Sequence, residues 1–185
     1  RSAPATTVAP MTATVRPDLQ MAHRRSFDHV VCAGSRLTGA QRRQIAEVAR
    51  DAYLSAEPTA PWVRPFGDPL LDGAYRLARH AGTLTQQWYE QLVTDGTHPL
   101  DWVEVVGVVV ATVPPVAFAR AVGLPIPDLP PAVPGRPTGL EAGELAPATL
   151  NWVPVAAPAD RVASVVQALS ALPAEWNNLD RKSTR

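Results

Sequence analysis

The groups in this chain that can do chemistry are few. Glu104 is the most distinctive. In "DWVEVVGVVVATVPP", residues 101–115, it is the one charge between Asp101 and Arg120, set in a valine-rich run. A carboxylate drawn out of water needs a partner or a raised pKa. With a raised pKa it is a general acid or base, and Glu104 is therefore the candidate catalytic residue. It can equally pair with an arginine such as Arg120 or Arg76, or lie exposed in a first helical turn.

Cys32, in "HVVCAG", is the single cysteine. A reactive thiolate needs a positive, partly exposed setting, and His29 lies three residues before it. The alternative is an inert small hydrophobe. One cysteine excludes an intrachain disulfide and any cysteine-pair metal site. The four histidines are His23, His29, His80 and His98. None shares an H-E-x-x-H helical pattern, and no metal site is expected. His80 falls in a last helical turn, where a cation suits the dipole, and His98 falls at a helix start. There is no glycine-rich phosphate loop and no G-x-S-x-G. No cofactor-binding residues are expected. Trp62, Trp88, Trp102, Trp152 and Trp176 are scattered, as core and interface anchors are.

Lys+Arg equals Asp+Glu at 17 each, so the net charge is zero. That argues against nucleic acid as a partner and against a polybasic membrane surface. It also gives little protection from self-association. The apolar run Val105 to Val116 is too short to span a bilayer. A soluble, cytoplasmic protein is the expectation. The chain begins "RSAPATTVAP" without Met and ends "NNLDRKSTR". Both ends suggest a piece of something longer.

The elements that would position these groups read as helices. "LTGAQRRQIAEVARDAYLSA" has Thr38 as N-cap and Gln41 completing a capping box. Ile45, Val48, Ala49, Ala52 and Tyr53 share its apolar face. Arg42, Arg43, Glu47 and Arg50 fall mostly on the other. Asp68 caps a second helix with Pro69 in its first position and Gly82 at its end. Thr85 caps a third, which Gly96 terminates.

Residues 101–115 contain seven valines, which favour a strand. Length, Pro99 at a first helical position and helical neighbours argue instead for a buried helix ending before Pro114. "PPVAFARAVG" then makes a short helix of its own. Residues 1–20 read as a disordered arm, and 21–36 as weakly helical at best. Twenty prolines interrupt the chain, clustering in 58–69 and 114–158. Ile126, Leu129, Trp152 and Val153 should pack the proline-rich stretch onto the bundle or onto a second subunit. Residues 159–176 read as a last helix. The expected fold is all-α, a compact bundle of about six helices with proline-rich extended arms. Its divisions are an arm at 1–20, a helical domain at 21–125, a packing segment at 126–158, a helix at 159–176 and a tail at 177–185.

The order of phrases from "RLARHAGT" to "VGLPIPDLP" resembles the carboxymuconolactone decarboxylase and alkylhydroperoxidase D-like superfamily. There a phrase like "G-L-S-x-x-E-Y-V-E-x-V-G-V-V" precedes "F-x-R-A-L-G". Here Gly96 is followed by "WVEVVGVV" and then Phe118, Arg120, Ala121 and Gly123. "NWVPV" and "VVQALSALPAEW" are similar to the linker and next helix of peroxidase-related members with two such units. The likeness covers about residues 36 to 176. It implies an all-α fold, homo-oligomers and a small hydroperoxide or lactone-like substrate. Active members use a C-x-x-C pair with a Glu before it and a His after it, as antioxidant oxidoreductases of the peroxiredoxin type. The corresponding positions here are Arg43 for the Glu, Ser55 and Pro58 for the thiols, and Trp62 for the His, so none of the four matches. Cys32 lies on the wrong side of the helix to substitute.

Three readings follow. The chain is the degenerate N-terminal unit of a peroxidase-related protein, with an active unit after Arg185. Alternatively it is a non-enzymatic helical oligomerisation or binding module. The third is thiol-independent catalysis through Glu104 and a histidine, as in a lactone decarboxylase.

Overall fold

The computed structural model describes residues 15–139, with the backbone of 145–146 and 155–156. Five α-helices follow in order: α1 Pro17–Val30, α2 Gly39–Leu54, α3 Pro69–Arg79, α4 Gln86–Thr94 and α5 Pro99–Ala121. The expected all-α bundle is what forms. A 3-10 turn, Ala81–Thr83, joins α3 to α4. Two-residue strands, β1 Leu145–Ala146 and β2 Val155–Ala156, pair antiparallel, with Leu145 opposite Ala156. The helix expected over 159–176, together with Trp152, Val153 and residues 1–14, lies outside the described residues.

Caps set most helix starts. Thr38 and Gln41 form the reciprocal capping box of α2. Asp68 accepts from the Leu70 and Leu71 amides at the start of α3, and Thr85 from the Trp88 amide in α4. His98 accepts from the Leu100 amide and so caps α5. After α4 the chain turns at Gly96, whose φ of 99° is one that L side chains rarely adopt. Gly82 ends no helix: α3 stops at Arg79, and Gly82 sits in the 3-10 turn without positive φ.

Two further expectations are corrected. Residues 17–30 form a full helix, where 17–20 were expected in a disordered arm and 21–36 as weakly helical at best. Pro17 occupies the first turn with Asp18 beside it, and Ser26, Phe27 and Val30 form the buried face. The valine-rich helix also does not stop at Pro114. It runs unbroken through Pro114 and Pro115 to Ala121. Two prolines remove the amides that would bond to the Ala111 carbonyl from three and four residues on. The Ser26 hydroxyl of α1 donates to that carbonyl instead, at 2.9 Å. A side chain from another helix thus compensates for the backbone defect.

α5 is the core helix, packed against α1, α2 and α3. Trp102, Val105, Val108, Val109 and Val116 are almost completely buried. α3 approaches it closely at Gly73, where a Cβ would come 2.5 Å from Trp102 Cζ3. Trp102 meets Trp88 of α4 edge to face, with centroids 5.0 Å apart. At 23 residues α5 is long and apolar enough to cross a membrane, unlike the shorter run expected from sequence. Its burial within the bundle is that of a core helix.

After Gly123 the chain runs back, extended, over the bundle as far as Gly139. Leu129 is buried, and Ile126 packs against the core. Val133 donates to the Val31 carbonyl, Thr138 to Gly34 and Gly139 to Ser35, each at 2.9 Å. This part of the proline-rich segment is therefore an integral wall of the bundle.

Candidate functional site

Glu104 lies inside the bundle with no exposed surface, and its partner is Arg42 of α2. It pairs with neither Arg120 nor Arg76. Arg42 Nη1 stands 3.3 Å from Glu104 Oε1. Oε2 accepts from the Arg36 amide at 2.9 Å, the Leu37 amide at 3.3 Å and the Ser35 hydroxyl at 3.2 Å. Arg42 also donates from Nε to the Val30 carbonyl at 3.1 Å and from Nη2 to the His29 carbonyl at 3.5 Å. One carboxylate and one guanidinium thereby tie α5 and α2 to the loop that follows α1. Arg36 adds an ion pair to Asp101, one turn before Glu104.

The cluster leaves no room for a side chain at Gly34, whose Cβ would fall on Glu104 Oε1 and Arg42 Nη1. Burial lowers the Arg42 pKa below its ordinary value, and the Glu104 charge opposes that effect. Arg42 was expected on the polar face of its helix and is instead 1% exposed. The turn geometry forces this. Arg42, Ile45, Ala46, Ala49 and Ala52 share one stripe, and Arg42 is the end of it that meets Glu104.

Sequence reasoning missed a second buried acid, Asp72 of α3. Its Oδ2 stands 2.8 Å from Arg76 Nε, one turn along the helix. Arg76 in turn donates to the Pro61 and Val63 carbonyls and to the Thr83 hydroxyl. This pair pins the proline-rich loop between α2 and α3. The available signal was the i, i+4 spacing of Asp72 and Arg76.

The remaining candidates do not converge. Cys32 is half-buried, and its thiol donates to the Asp28 carbonyl at 3.2 Å. His29 is held below its ordinary pKa by burial first and by Arg42 second. His80 lies just past the end of α3, with Nε2 2.8 Å from the Thr59 carbonyl. His23 is half-buried against Phe118, ring centroids 5.2 Å apart at 69°, and burial lowers its pKa. No group of three potential metal ligands occurs among the described residues.

Of the positions that the resemblance assigns to thiol chemistry, Arg43 lies in the N-terminal half of α2, and Ser55, Pro58 and Trp62 follow its C-terminus. Arg43 pairs with Glu47 at 2.7 Å and donates to the Pro130 carbonyl at 2.8 Å. Ser55 is the C-cap residue of α2. Trp62 is 84% exposed. Ser55 lines a cleft of about 330 Å³ together with Glu47, Asp51, Glu57, Phe66 and Tyr75. A second cleft, of about 400 Å³, opens between α1, the end of α5 and the returning segment.

The outer face of α5 is apolar along its length, although Val106 and Val113 on it also pack against the core. Pro99, Val103, Val106, Val110, Val113, Pro114, Ala117 and Ala121 recur at three- and four-residue spacing along it, and none is polar. None is buried, and Val110 is 37% exposed. No protein-family model matches this chain, and neither a curated protein nor a solved structure matches it.

Proposed function

We propose that this chain is an alkylhydroperoxidase D-like helical unit that works by assembly, joining a second copy of itself through the outer face of α5. The apolar stripe on that helix is the observation that carries the reading. Seven of its eight positions are symmetric about Val110, Val113 being the exception: Val103 and Ala117 lie seven residues to either side, Val106 and Pro114 four, Pro99 and Ala121 eleven. Two such helices laid antiparallel across a two-fold axis at Val110 place Val103, Val106 and Val110 opposite apolar partners, with Val113 to one side of the seam. The stripe is about 33 Å long at 1.5 Å per residue. A single helix pair is small beside the about 800 Å² per partner of a typical stable interface, so association should depend on concentration.

Sedimentation velocity across a dilution series tests this. The native chain should pass from monomer to dimer as concentration rises. Val110→Glu puts two carboxylates at the axis and removes two apolar contacts of about 1.5 kcal/mol each, which weakens the dimer about a hundredfold. A monomer at every concentration, or a dimer indifferent to Val110→Glu, would overturn the proposal.

A second reading is favoured by one observation. Ser55, where the resemblance places the first thiol, lines a cleft at the end of α2. In that reading the unit descends from a thiol peroxidase and accompanies an active one. Its test is gain of function: the Ser55→Cys, Pro58→Cys double variant should consume an alkyl hydroperoxide with dithiothreitol as reductant. Failure of a folded double variant to do so counts against it.

A further inference from the structure

The cleft between α1, the end of α5 and the returning segment has features that a bare groove lacks. Its walls are held apart. Four of its lining residues are prolines: Pro115 inside α5, and Pro125, Pro127 and Pro130 in the segment. Each fixes its own φ. The segment is fastened along its length. Arg43 donates to the Pro130 carbonyl at 2.8 Å, Leu129 is buried, and Arg50 meets Asp128 at 3.3 Å. A cleft walled this way does not collapse onto its own apolar lining, so about 400 Å³ stays open. That volume is in the range of small-molecule sites.

Its chemistry is selective too. Phe27, Phe118, Pro115 and Leu124 supply flat and apolar surfaces. The lining carries Arg24 and Asp28, one turn apart on α1, and Asp128, and the charges sum to zero once Arg50, which meets Asp128 at 3.3 Å from outside the cleft, is counted. Nothing there rewards an ion of either sign. His23 supplies an uncharged polar edge, since burial favours the neutral imidazole. Its contact with the Phe118 ring sets it against one wall of the space.

We propose that this cleft is a binding site for an uncharged aromatic small molecule that carries one hydroxyl or carbonyl oxygen, turned toward His23. The ring system lies among Phe27, Phe118 and the prolines, and the oxygen exchanges a hydrogen bond with the imidazole. The site is independent of the outer face of α5 and of the cleft at Ser55.

The test uses two probes of one shape on the full chain: 2-naphthol, neutral at pH 7, and 2-naphthoate, an anion. Calorimetric titration should give one saturable site for 2-naphthol, and binding of 2-naphthoate at least about tenfold weaker, the cost of bringing a charge into a balanced apolar cleft. His23→Ala should weaken 2-naphthol about tenfold, the worth of one hydrogen bond. Leu124→Trp, which puts an indole into the lining of the cleft, should abolish binding. Both side chains are partly exposed, and circular dichroism checks that the variants fold. Val110→Glu should leave 2-naphthol affinity unchanged. In the native chain, the His23 ring resonances should move on adding 2-naphthol whether or not a variant folds. The proposal is overturned by absence of a saturable site, by preference for 2-naphthoate, by binding that survives Leu124→Trp in a folded variant, or by His23 resonances that stay put.

Discussion

Glu104→Gln separates a structural carboxylate from a catalytic one. In a catalytic role the amide should abolish turnover and leave the fold intact. The geometry predicts a stability loss. The glutamine oxygen can still accept from the Arg36 and Leu37 amides, but its NH2 then faces the Arg42 guanidinium, donor against donor. Arg42 is 1% exposed and keeps its charge. Leaving one member of a buried pair without its partner costs about 3–5 kcal/mol. Against a total stability of about 5–15 kcal/mol, that is a large fraction. In urea, with a slope near 2 kcal/mol per molar, the unfolding midpoint should fall by about 2 M. The double variant Arg42→Met, Glu104→Gln removes the stranded charge. It should be more stable than the sum of the single losses by about 2 kcal/mol, although it still forfeits the Arg42 bond to Val30. A Glu104→Gln protein within about 1 kcal/mol of the native one would refute the structural account of this pair.

Further predictions concern the same framework. Ser26→Ala strands the Ala111 carbonyl behind two prolines and should cost about 1–3 kcal/mol in urea unfolding. In a Pro115→Ala background the amide returns, and the same change should cost much less. Gly34→Ala drives a methyl into the Glu104–Arg42 pair, and thermal unfolding should show a loss of about 2 kcal/mol or more. Burial lowers the pKa of both His23 and His29 from 6.5, so the folded state binds fewer protons than the unfolded one just below that value. Their contribution to stability is complete above about pH 6.5 and is lost as the pH falls through the lowered values. Comparing urea midpoints at pH 7.5 and 5.5, the native chain should fall further than a His23→Gln, His29→Gln variant. Equal falls would show that neither ring carries the effect.

The helices that could be read from sequence are those whose ends are written locally. Thr38 with Gln41, Asp68 with Pro69, and Thr85 each satisfy backbone donors within three residues, so the signal and the interaction occupy the same short stretch. α1 carries no such signal beyond Pro17. Arg16 makes no side-chain cap bond, and the buried face is only Ser26, Phe27 and Val30 in a helix otherwise rich in polar and charged residues. The continuity of α5 could not be read at all. Pro114 and Pro115 are local stop signs, and what compensates for them is Ser26, eighty-five positions from the Ala111 carbonyl it bonds.

The same division runs through the site. That Glu104 needed a partner followed from its apolar surroundings. Which arginine answered it did not, because a helix stripe is read by its majority, and Ile45, Ala46, Ala49 and Ala52 make that majority apolar. Arg42 lies on their side of α2, and the bundle has to place a charge where hydrocarbon would otherwise be. The Glu104 carboxylate makes that placement tolerable, and the three donors of residues 35–37 complete its coordination. Each member of the cluster would be costly to bury alone, and each becomes acceptable only with the others present. Such mutual dependence fixes how α2, α5 and the loop after α1 come together. An apolar core would permit sliding there, because one valine contact on α5 is much like the next. The buried charges therefore favour one register of the bundle over its neighbours. That register also places the outer stripe of α5 toward solvent and holds Phe118 beside His23.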